Sequence, residues 1–385
     1  MNKRSSMKIL HIISGLRRGG AENILYRLCQ HDKEHRHFII SLTDSQDDGM
    51  NHNKENVSVH KLNFSNRKIN LFELFKLYKQ IKQIKPDVVQ TWMIHADMIG
   101  GIVARLAGVN NIFWSVHYTN LVRGKSKRLT ILLTKINAFL SHFIPKKIIY
   151  CAEKSKEVQE SLGFKKTKGV VVQNGYDIES FIQNNDLGIK FRNELGIRPE
   201  AFVIGHVGSY HPLKDQANLI KALTLLDQRG FNFNAVFAGD NLDNNNTSLV
   251  SLIKNKGLSN RVYLLGRRND IPSIMNGIDL FILSSESEAF PNVLNEAMAC
   301  GTPCVSTDVG DASLILGDTG WIVPSKDSES LYSSVIKAAQ ERESNHRSWL
   351  DRSIACRQRI VQKFSLEKMV KKYKEVWMNV KKHPV

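Results

Sequence analysis

The chain has 385 residues, of which 42% are hydrophobic and 24% are charged. This length predicts about two or three domains with a sizeable core, and the composition excludes wholesale disorder, collagen-like repeats and a coiled coil. No run of about 18 uncharged apolar residues is present, so the sequence predicts no membrane-spanning helix. Five scattered cysteines, with no zinc-type spacing around Cys300 and Cys304, favour a reduced, cytosolic and metal-free protein.

The net charge of +17 is distributed unevenly along the chain. Residues 1–180 carry a net charge of +14, residues 181–350 carry −4, and residues 351–385 carry +7. An anionic surface that meets one half of the chain would explain this distribution, whereas a polyanion wrapped by the whole protein would not. The alternative is that the positive charge only keeps the protein soluble.

Strands alternate with helices through the first half of the sequence. Short apolar runs predict strands at residues 7–13, 38–42, 57–62, 88–90, 113–116, 148–151 and 170–173. Apolar residues at helical spacing predict helices at 21–29 and 70–85, and Pro86 ends the second of these. The alternation predicts a parallel sheet with helices on both faces.

A second alternating region follows a polar, irregular segment that runs from Asn174-Gly175 to about Pro199. Its predicted strands are at residues 202–207, 235–238, 262–265, 280–283 and 304–306. Its predicted helices are at 216–226, 248–256, 273–278 and 292–300, and a last helix is predicted at 366–380. We therefore expect an α/β protein of two doubly wound, Rossmann-like domains, with a first domain at 1–180, a linker at 181–198, a second domain at 199–361 and a closing helix within 362–385.

The candidate site is expected where the strands end, because ligands of open parallel sheets bind beyond the carboxyl ends of the strands. Two such domains facing each other would form one cleft. The strongest candidate is the sequence SSESEAFPNVLNEA at 284–297, which follows the predicted strand 280–283 and opens a helix. Pro291 fits the first helical position, and the N–H groups of Asn292 and Val293 would then bind anionic or hydroxyl oxygens.

Two carboxylates, Glu288 and Glu296, flank this turn with seven residues between them. Placed on either side of a helix start, they would bind two hydroxylated parts of one ligand. The alternative is that Glu288 only favours the helix dipole and that Glu296 is a solvated surface residue.

The run from Glu288 to Pro303 resembles the signature of the family-4 retaining glycosyltransferases of the GT-B fold, in which two glutamates are also separated by seven residues. The similarity continues through CVSTDVG at 304–310 and GDTGW at 317–321. Further matching positions occur in the right order along the chain: 15–20, His117, 174–177, 208–214 and 266–268. The resemblance thus covers essentially the whole chain and is strongest to bacterial enzymes of O-antigen, capsule and exopolysaccharide synthesis. It implies a cleft between the two domains and a closing helix that returns to the first domain.

This resemblance implies a role for each matching residue. Glu288 would bind hydroxyls of the donor sugar, Glu296 would bind the ribose hydroxyls, and Lys214 would stabilise the departing diphosphate. His117 would help to position the sugar, unless it is simply a satisfied histidine near a strand end. The residues expected to bind the nucleotide-sugar donor, UDP-linked by resemblance, are Gly20, Arg267, Arg268, Phe290, Pro291, Asn292, Val293 and Glu296.

One position departs from the family. Ser209 follows Gly208 where the family usually has an arginine, so Arg267 or Arg268 would have to supply that charge. The resemblance further implies front-face transfer with retention, in which the leaving phosphate deprotonates the acceptor. No cofactor or metal is then needed, and the sequence contains no Asp-x-Asp metal motif.

A basic and apolar segment lies in the first domain. Residues 101–150 contain eight basic and no acidic residues, and 129–143 form a broad apolar face beside Lys127, Arg128 and Lys135. The pattern is typical of a helix on an anionic membrane surface and also of a core helix with a basic edge. With the charge of the first half, it favours an anionic membrane surface and a lipid-linked glycan acceptor as partners, and hence a cytoplasmic protein at the inner face of the membrane.

Three other functions remain open at this stage. A basic protein of two domains would bind nucleic acid through phosphates, but the sequence has no RNA-binding or helix-turn-helix signature, so no nucleic-acid partner is expected. Ser209 leaves open a catalytically silent relative that acts as an assembly partner. A sugar-nucleotide epimerase or a phosphorylase would share the expected cleft, and release of nucleoside diphosphate in the presence of a lipid acceptor separates these classes.

Overall fold

The structure is a computed structural model that describes residues 6–16, 19–43, 56–64, 71–118 and 128–379. The chain forms two compact units, the first made of Met1–Gly175 with Leu366–Val385 and the second of Tyr176–Ser365. Among the described residues, no helix combines the length and the hydropathy needed to cross a bilayer. All five cysteines are buried and are not joined by disulfides.

The first unit is built on a seven-stranded parallel sheet in the order β3-β2-β1-β4-β5-β6-β7. The strands are β1 Lys8–Ile13, β2 Arg36–Ser41, β3 Val57–Lys61, β4 Val88–Trp92, β5 Ile112–Val116, β6 Lys147–Tyr150 and β7 Gly169–Val171. The helices between them are α1 Gly20–His31, α2 Leu71–Ile84, α3 Ile94–Leu106, α4 Arg128–Leu140 and α5 Glu153–Ser161. Its central strands are almost continuously apolar because helices cover both faces of the sheet.

The second unit is built on a six-stranded parallel sheet in the order β10-β9-β8-β11-β12-β13. Its strands are β8 Val203–Val207, β9 Asn234–Ala238, β10 Val262–Leu264, β11 Leu280–Leu283, β12 Cys304–Thr307 and β13 Trp321–Val323. Its helices are α6 Asn185–Glu194, α7 Gln216–Gln228, α8 Thr247–Asn255, α9 Ile271–Gly277, α10 Asn292–Ala299, α11 Ala312–Leu316, α12 Ser328–Ser344 and α13 His346–Lys363. The last helix, α14 Leu366–Met378, belongs to the first unit.

Alternation along the strands gives the first unit two separate cores. Leu10 and Ile12 of β1 face one core, which also contains residues of α2, α3 and α4. Ile9 and Ile13 face the other core, where α1 and α14 lie. Helix α14 contributes Met369, Tyr373 and Trp377 to that second core, and these side chains anchor it on the first unit.

The expected linker at 181–198 is not irregular. It contains α6, which is capped by Asn184 through its side-chain oxygen and buries Phe191. The prediction failed because only Gly188 and Phe191 of this helix are buried, so its apolar periodicity is weak. The elements between 312 and 363, which are α11, β13, α12 and α13, were also missed. The divisions at 175/176 and 365/366 differ by a few residues from the expected 180 and 361.

Candidate active site

Two loops meet at the carboxyl edge of the second unit's sheet. The loop at 208–215 follows β8, and the loop at 284–291 follows β11, which is the strand next to β8. Ser284 Oγ donates a hydrogen bond of 2.9 Å to the carbonyl oxygen of Lys214, and the Glu286 N–H donates one of 2.8 Å to the carbonyl oxygen of Leu213. These bonds fix the two loops to each other and bring their side chains together.

The side chains of Lys214 and Glu288 form an ion pair between these loops. Lys214 Nζ lies 2.6 Å from Glu288 Oε1, and Ser285 Oγ donates a 2.7 Å hydrogen bond to the same oxygen. The two side chains are partly buried, with 26% and 15% of their surface exposed, so the pair is only partly screened by water. An ammonium group has three donors, and the bond to Glu288 uses one of them.

Gly310 supports the loop that carries Glu288. It has a φ of +55°, and a Cβ at this position would lie 2.2 Å from the carbonyl oxygen of Ala289 and 2.7 Å from that of Glu288. The next residue, Asp311, donates a backbone hydrogen bond of 3.0 Å to Ala289. Only glycine fits both the left-handed backbone and this close approach, so Gly310 is required for the position of Glu288.

Helix α10 begins at the end of the same loop. Pro291 is the N-cap residue and Asn292 the first helical residue, so Pro291 lies one position earlier than expected. Phe290 is buried and packs edge-on against Phe364, with 5.6 Å between ring centroids. The hydroxyl of the buried Tyr176 donates a hydrogen bond to Asn292 Oδ1, which orients the start of the helix.

Further along α10, Val293 and Glu296 are partly exposed. The carboxylate of Glu296 acts on Cys300, one turn later, because it adds to the effect of burial in raising the pKa of that thiol to about 12. Glu288 thus lies in the loop after β11, and Glu296 lies on helix α10, which follows that loop.

The two arginines after β10 have different surroundings. Arg267 forms a two-point ion pair with Asp240, at 2.6 and 3.0 Å, and half of its side chain is exposed. The Asp240 carbonyl accepts a hydrogen bond from Tyr210, next to Ser209, so Arg267 lies at the loop that lacks the usual arginine. Arg268 instead binds Glu194 and Asp270 and ties α6 to the start of α9.

In the first unit, His117 follows β5 at the carboxyl edge of the sheet. Its ring stacks on Trp92 with 5.2 Å between ring centroids, and its Nε2 lies 3.1 Å from Ser115 Oγ. Burial lowers the pKa of His117 to about 4, so the imidazole is neutral at pH 7. Gly20 is exposed at the first position of α1.

A histidine cluster in the first unit was not predicted from the sequence. The indole N–H of Trp92 donates to His11 Nδ1 at 3.1 Å, and His11 Nε2 lies 3.0 Å from His37 Nδ1. His37 Nε2 lies 3.4 Å from an oxygen of the buried Asp32. His11, Cys29 and His37 are close enough to hold a metal ion, but the Trp92 bond requires the proton of neutral His11 on Nε2, the atom that faces His37. The arrangement is therefore a hydrogen-bonded chain that supports the fold.

Comparisons with known proteins identify the family of both units. The sequence profile of Glycosyltransferase Family 4 matches residues 18–180, and that of Glycosyl transferases group 1 matches residues 189–348. The UDP-Gal:alpha-D-GlcNAc-diphosphoundecaprenol alpha-1,3-galactosyltransferase of Escherichia coli is 27% identical over 300 residues, which are 77% of this chain and 76% of the relative. The capsular polysaccharide biosynthesis glycosyltransferase CapM of Staphylococcus aureus is 27% identical over 265 residues, covering 66% of this chain and 67% of CapM.

A solved structure supports the fold over nearly the whole chain. The crystal structure of Anabaena Alr3699/HepE in complex with UDP and glucose superposes with a TM-score of 0.84 at 22% identity, and it covers 97% of this chain and 100% of HepE. The two matched profiles follow one another and together cover most of the chain. The chain therefore belongs to the family-4 glycosyltransferases of the GT-B fold.

Proposed function

We propose that this glycosyltransferase moves a sugar from a UDP-sugar to a lipid-linked or growing glycan acceptor in bacterial surface-polysaccharide synthesis, with retention of configuration and without a metal ion. The observation that carries the proposal is the Lys214–Glu288 pair, held by Ser285 at the carboxyl edge of the second sheet. In support, one relative is named for a UDP-sugar donor and a diphosphoundecaprenol acceptor, and HepE was crystallised with UDP and glucose.

The second unit would bind the donor. Glu288 accepts hydrogen bonds from sugar hydroxyls, and Lys214 stabilises the charge that grows on the diphosphate as the bond from the anomeric carbon to oxygen breaks. Glu296 holds the ribose hydroxyls, and the first N–H groups of α10, at Asn292 and Val293, would donate to phosphate oxygens, because the N-terminus of a helix favours anions.

Arg267 would replace the arginine that is missing at Ser209. Its guanidinium is attached to Asp240 at the adjoining loop, whereas Arg268 is already bound to two carboxylates on other elements. Two cations, Lys214 and Arg267, would then balance the charge of the leaving diphosphate, which is the task a divalent ion performs in metal-dependent transferases.

The first unit would supply neutral groups to the reaction. His117 has no charge at pH 7 and therefore hydrogen-bonds sugar hydroxyls without attracting the diphosphate. Gly20, at the start of α1, lets the backbone approach the donor phosphates. The proton of the acceptor hydroxyl passes to the leaving phosphate oxygen as the new glycosidic bond forms on the same face of the sugar.

The acceptor would be reached at the inner face of the cytoplasmic membrane. Helix α4 exposes an apolar stripe of Leu129, Leu132, Ile136 and Phe139, with exposed fractions of 37–67%, while Leu133 and Ala138 face inward. Exposed apolar surface beside basic residues is typical of a helix on an anionic bilayer. The basic residues Arg123, Lys125 and Lys127, which precede α4, lie outside the described residues, and Arg128 is its first residue.

The donor proposal is tested by thermal unfolding with UDP, UDP-glucose, UDP-galactose and UDP-N-acetylglucosamine, with GDP-mannose as the control. A ligand at one hundred times its dissociation constant adds about 2.7 kcal/mol to the free energy of unfolding, so the melting temperature rises for UDP and for at least one UDP-sugar. If neither moves it, the donor proposal is wrong.

The reaction class is tested by following UDP release with and without a lipid-diphosphate acceptor. A transferase releases UDP only when acceptor is present. Binding of UDP without its release from a UDP-sugar would indicate a catalytically silent relative, which the serine at position 209 favours. An isomerised UDP-sugar without UDP release would indicate an epimerase.

A further inference from the structure

A cavity of about 420 Å³ lies on the first unit, between the end of β3 and the outer side of α2. It is lined by residues at and just after the end of β3 and by residues of α2: Lys61, Leu62, Asn63, Lys76, Lys79, Gln80 and Gln83. The helical residues among them are spaced three or four positions apart, so they form one stripe along α2. None of the residues in this stripe is among the positions that match the glycosyltransferase signature.

The charge of this cavity is entirely positive. Three lysines line it, and none of the described residues that line it is acidic. The carboxylate of α2 itself, at Glu73, is buried with 8% of its surface exposed and is directed to the interior. Ammonium groups and glutamine amides together bind phosphate oxygens, so the lining selects an anion of phosphate type.

Exposed apolar side chains lie at the start of α2, and one of them, Phe72, adjoins a lysine of the cavity. Leu71, Phe72 and Phe75, at the start of α2, have 85%, 65% and 55% of their surface exposed. Lys76 Nζ lies 4.9 Å from the centre of the Phe72 ring, so cation and aromatic surface adjoin. A free phosphate would use the lysines only, whereas a lipid would place its headgroup on the lysines and its acyl region on these three side chains.

The helices beside α2 have the same character. Helices α3 and α4 share its core on this face of the sheet, and they expose Leu106, Leu132 and Phe139. The carboxylate of α3, Asp97, is 1% exposed, and α4 has no acidic residue. The outer side of these three fully described helices therefore presents apolar and basic side chains with no exposed carboxylate, which suits an anionic bilayer.

We propose that the cavity lined by Lys61, Lys76 and Lys79 binds the phosphate of an anionic phospholipid headgroup, while Phe72 and Phe75 enter the apolar layer next to it. The site deepens the proposed membrane association and rests on it. This site would be the lipid contact that orients the first unit on the membrane. The proposal does not depend on which sugar is transferred.

Sedimentation with vesicles of phosphatidylcholine, with and without phosphatidylglycerol, tests the proposal on the full chain. The variant Lys76→Gln/Lys79→Gln removes two positive charges from the cavity. The control Lys371→Gln/Lys372→Gln removes two from exposed positions on α14, which packs on the opposite face of the same sheet. We expect the cavity variant to bind phosphatidylglycerol vesicles about thirtyfold more weakly and the control less than threefold more weakly.

A second pair of measurements separates the lipid from a soluble ligand and from loss of fold. Phe72→Ser/Phe75→Ser is expected to weaken binding to both kinds of vesicle, because apolar insertion needs no charge. Glycerol phosphate in solution is expected to compete poorly with vesicles. Melting temperature and UDP binding are measured for every variant. Both are expected to match the parent, since the substituted phenylalanines and lysines are exposed.

Three results would overturn the proposal. Equal losses in the cavity variant and the α14 control would show unspecific attraction of positive charge. Tight, saturable binding of free glycerol phosphate that depends on Lys76 and Lys79 would assign the cavity to a soluble phosphate compound. Loss of vesicle binding in Leu132→Ser/Phe139→Ser, with parental binding in the cavity variant, would leave membrane association standing and remove this site.

Discussion

At the carboxyl edge of the second unit, Lys214 and Glu288 form a partly exposed ion pair, whereas at the same edge of the first unit His117 lies neutral on the face of Trp92. Both edges end parallel sheets of the same design. The difference arises in the loops, because the sheets only determine where side chains can converge. The charged edge suits a diphosphate, and the neutral edge suits hydroxyl groups.

The supports of the two edges differ in the same way. Around Glu288, Ser285 Oγ donates to the carboxylate, and the path of the loop depends on a backbone contact, the close approach of Gly310 to Ala289. Around His117 the supports are side-chain bonds, since Ser115 Oγ lies 3.1 Å from His117 Nε2 and 3.3 Å from the Tyr373 hydroxyl of α14. Substitutions at the charged edge should therefore act by moving the loop that carries Glu288. Those at the neutral edge should act by changing the protonation state of His117.

The largest effect is expected for Gly310→Ala. The added Cβ would overlap the Ala289 carbonyl and displace Glu288, and a displacement of about 1 Å costs roughly a hundredfold in rate. The control Gly196→Ala has a similar φ of +64° with no atom within 4 Å, so it costs stability but not rate. Turnover and melting temperature are measured together, and a folded Gly310→Ala enzyme with parental turnover would contradict the role given to this loop.

The next effect separates the two glutamates. Glu296→Gln should weaken UDP binding by about ten- to a hundredfold, because one charge-assisted hydrogen bond is worth roughly 1.5–3 kcal/mol. Glu288→Gln should lower turnover and leave the UDP dissociation constant near that of the parent, because Glu288 is proposed to bind the sugar and not the UDP part of the donor. Calorimetric titration with UDP decides this, and equal losses of affinity would refute the division of roles.

A smaller effect distinguishes the neighbouring arginines. Arg267→Gln should lower turnover about tenfold with little change in stability, because its partner Asp240 is half exposed. Arg268→Gln should lower the free energy of unfolding by about 2 kcal/mol with little change in turnover, since it loses bonds to Glu194 and Asp270. Urea unfolding and steady-state kinetics on both variants test the pair, and interchanged outcomes would mean that Arg268 serves the donor.

A different kind of effect concerns the acid stability of the first unit, measured by pH and not by substitution. Burial lowers the pKa of His11, His95 and His117 in the first unit, so the unfolded chain takes up protons below about pH 6.5 that the folded unit does not. Each such histidine then lowers the free energy of unfolding by up to about 1.4 kcal/mol per pH unit until its folded pKa is reached. Urea unfolding between pH 7 and 5 is expected to show this fall.

Asp32 extends the same trend to lower pH. Burial alone would raise its pKa, but hydrogen bonds from His35 and His37 hold the pKa well below its usual range. A depressed carboxyl pKa contributes stability that is present above the unfolded value of about 4 and is lost as the pH falls below it. Asp32→Asn should remove this part of the acid dependence, and an unchanged profile would show that the histidine chain does not couple to it.

The strands of both units were predictable because central parallel strands are uninterrupted apolar runs bounded by turn residues. The family resemblance predicted that Lys214 and Glu288 belong to one site. The structure gives the physical reason, which is that the strands before them, β8 and β11, are neighbours in the sheet. The sequence alone does not distinguish Arg267 from Arg268, because their different partners are set by distant elements. The roles of Ser285 and Gly310 were not predicted. Gly310 lies within the matched sequence at 304–310, and a glycine at that position could have indicated a close backbone contact.

Other features gave no local signal at all. His11 and His37 are 26 positions apart and meet only because β1 and β2 are neighbours in the sheet. Helix α6 buries too few residues to show a period, and the exposed apolar stripes of α2 and α4 look like core faces until exposure is known. The basic segment before α4 lies outside the described residues, so its predicted contact with the membrane stays a prediction.

Hydrogen–deuterium exchange with and without UDP tests the central claim most directly, because it locates the donor site without altering the chain. Bound UDP is expected to slow exchange at 208–215 and 284–299, the two loops and helix α10 that carry Lys214, Glu288 and Glu296. The stripe on α2 and the outer side of α4 are expected to exchange as in the free protein. Protection elsewhere in the chain, with these two segments unchanged at saturating UDP, would contradict the assignment of the donor site to this edge.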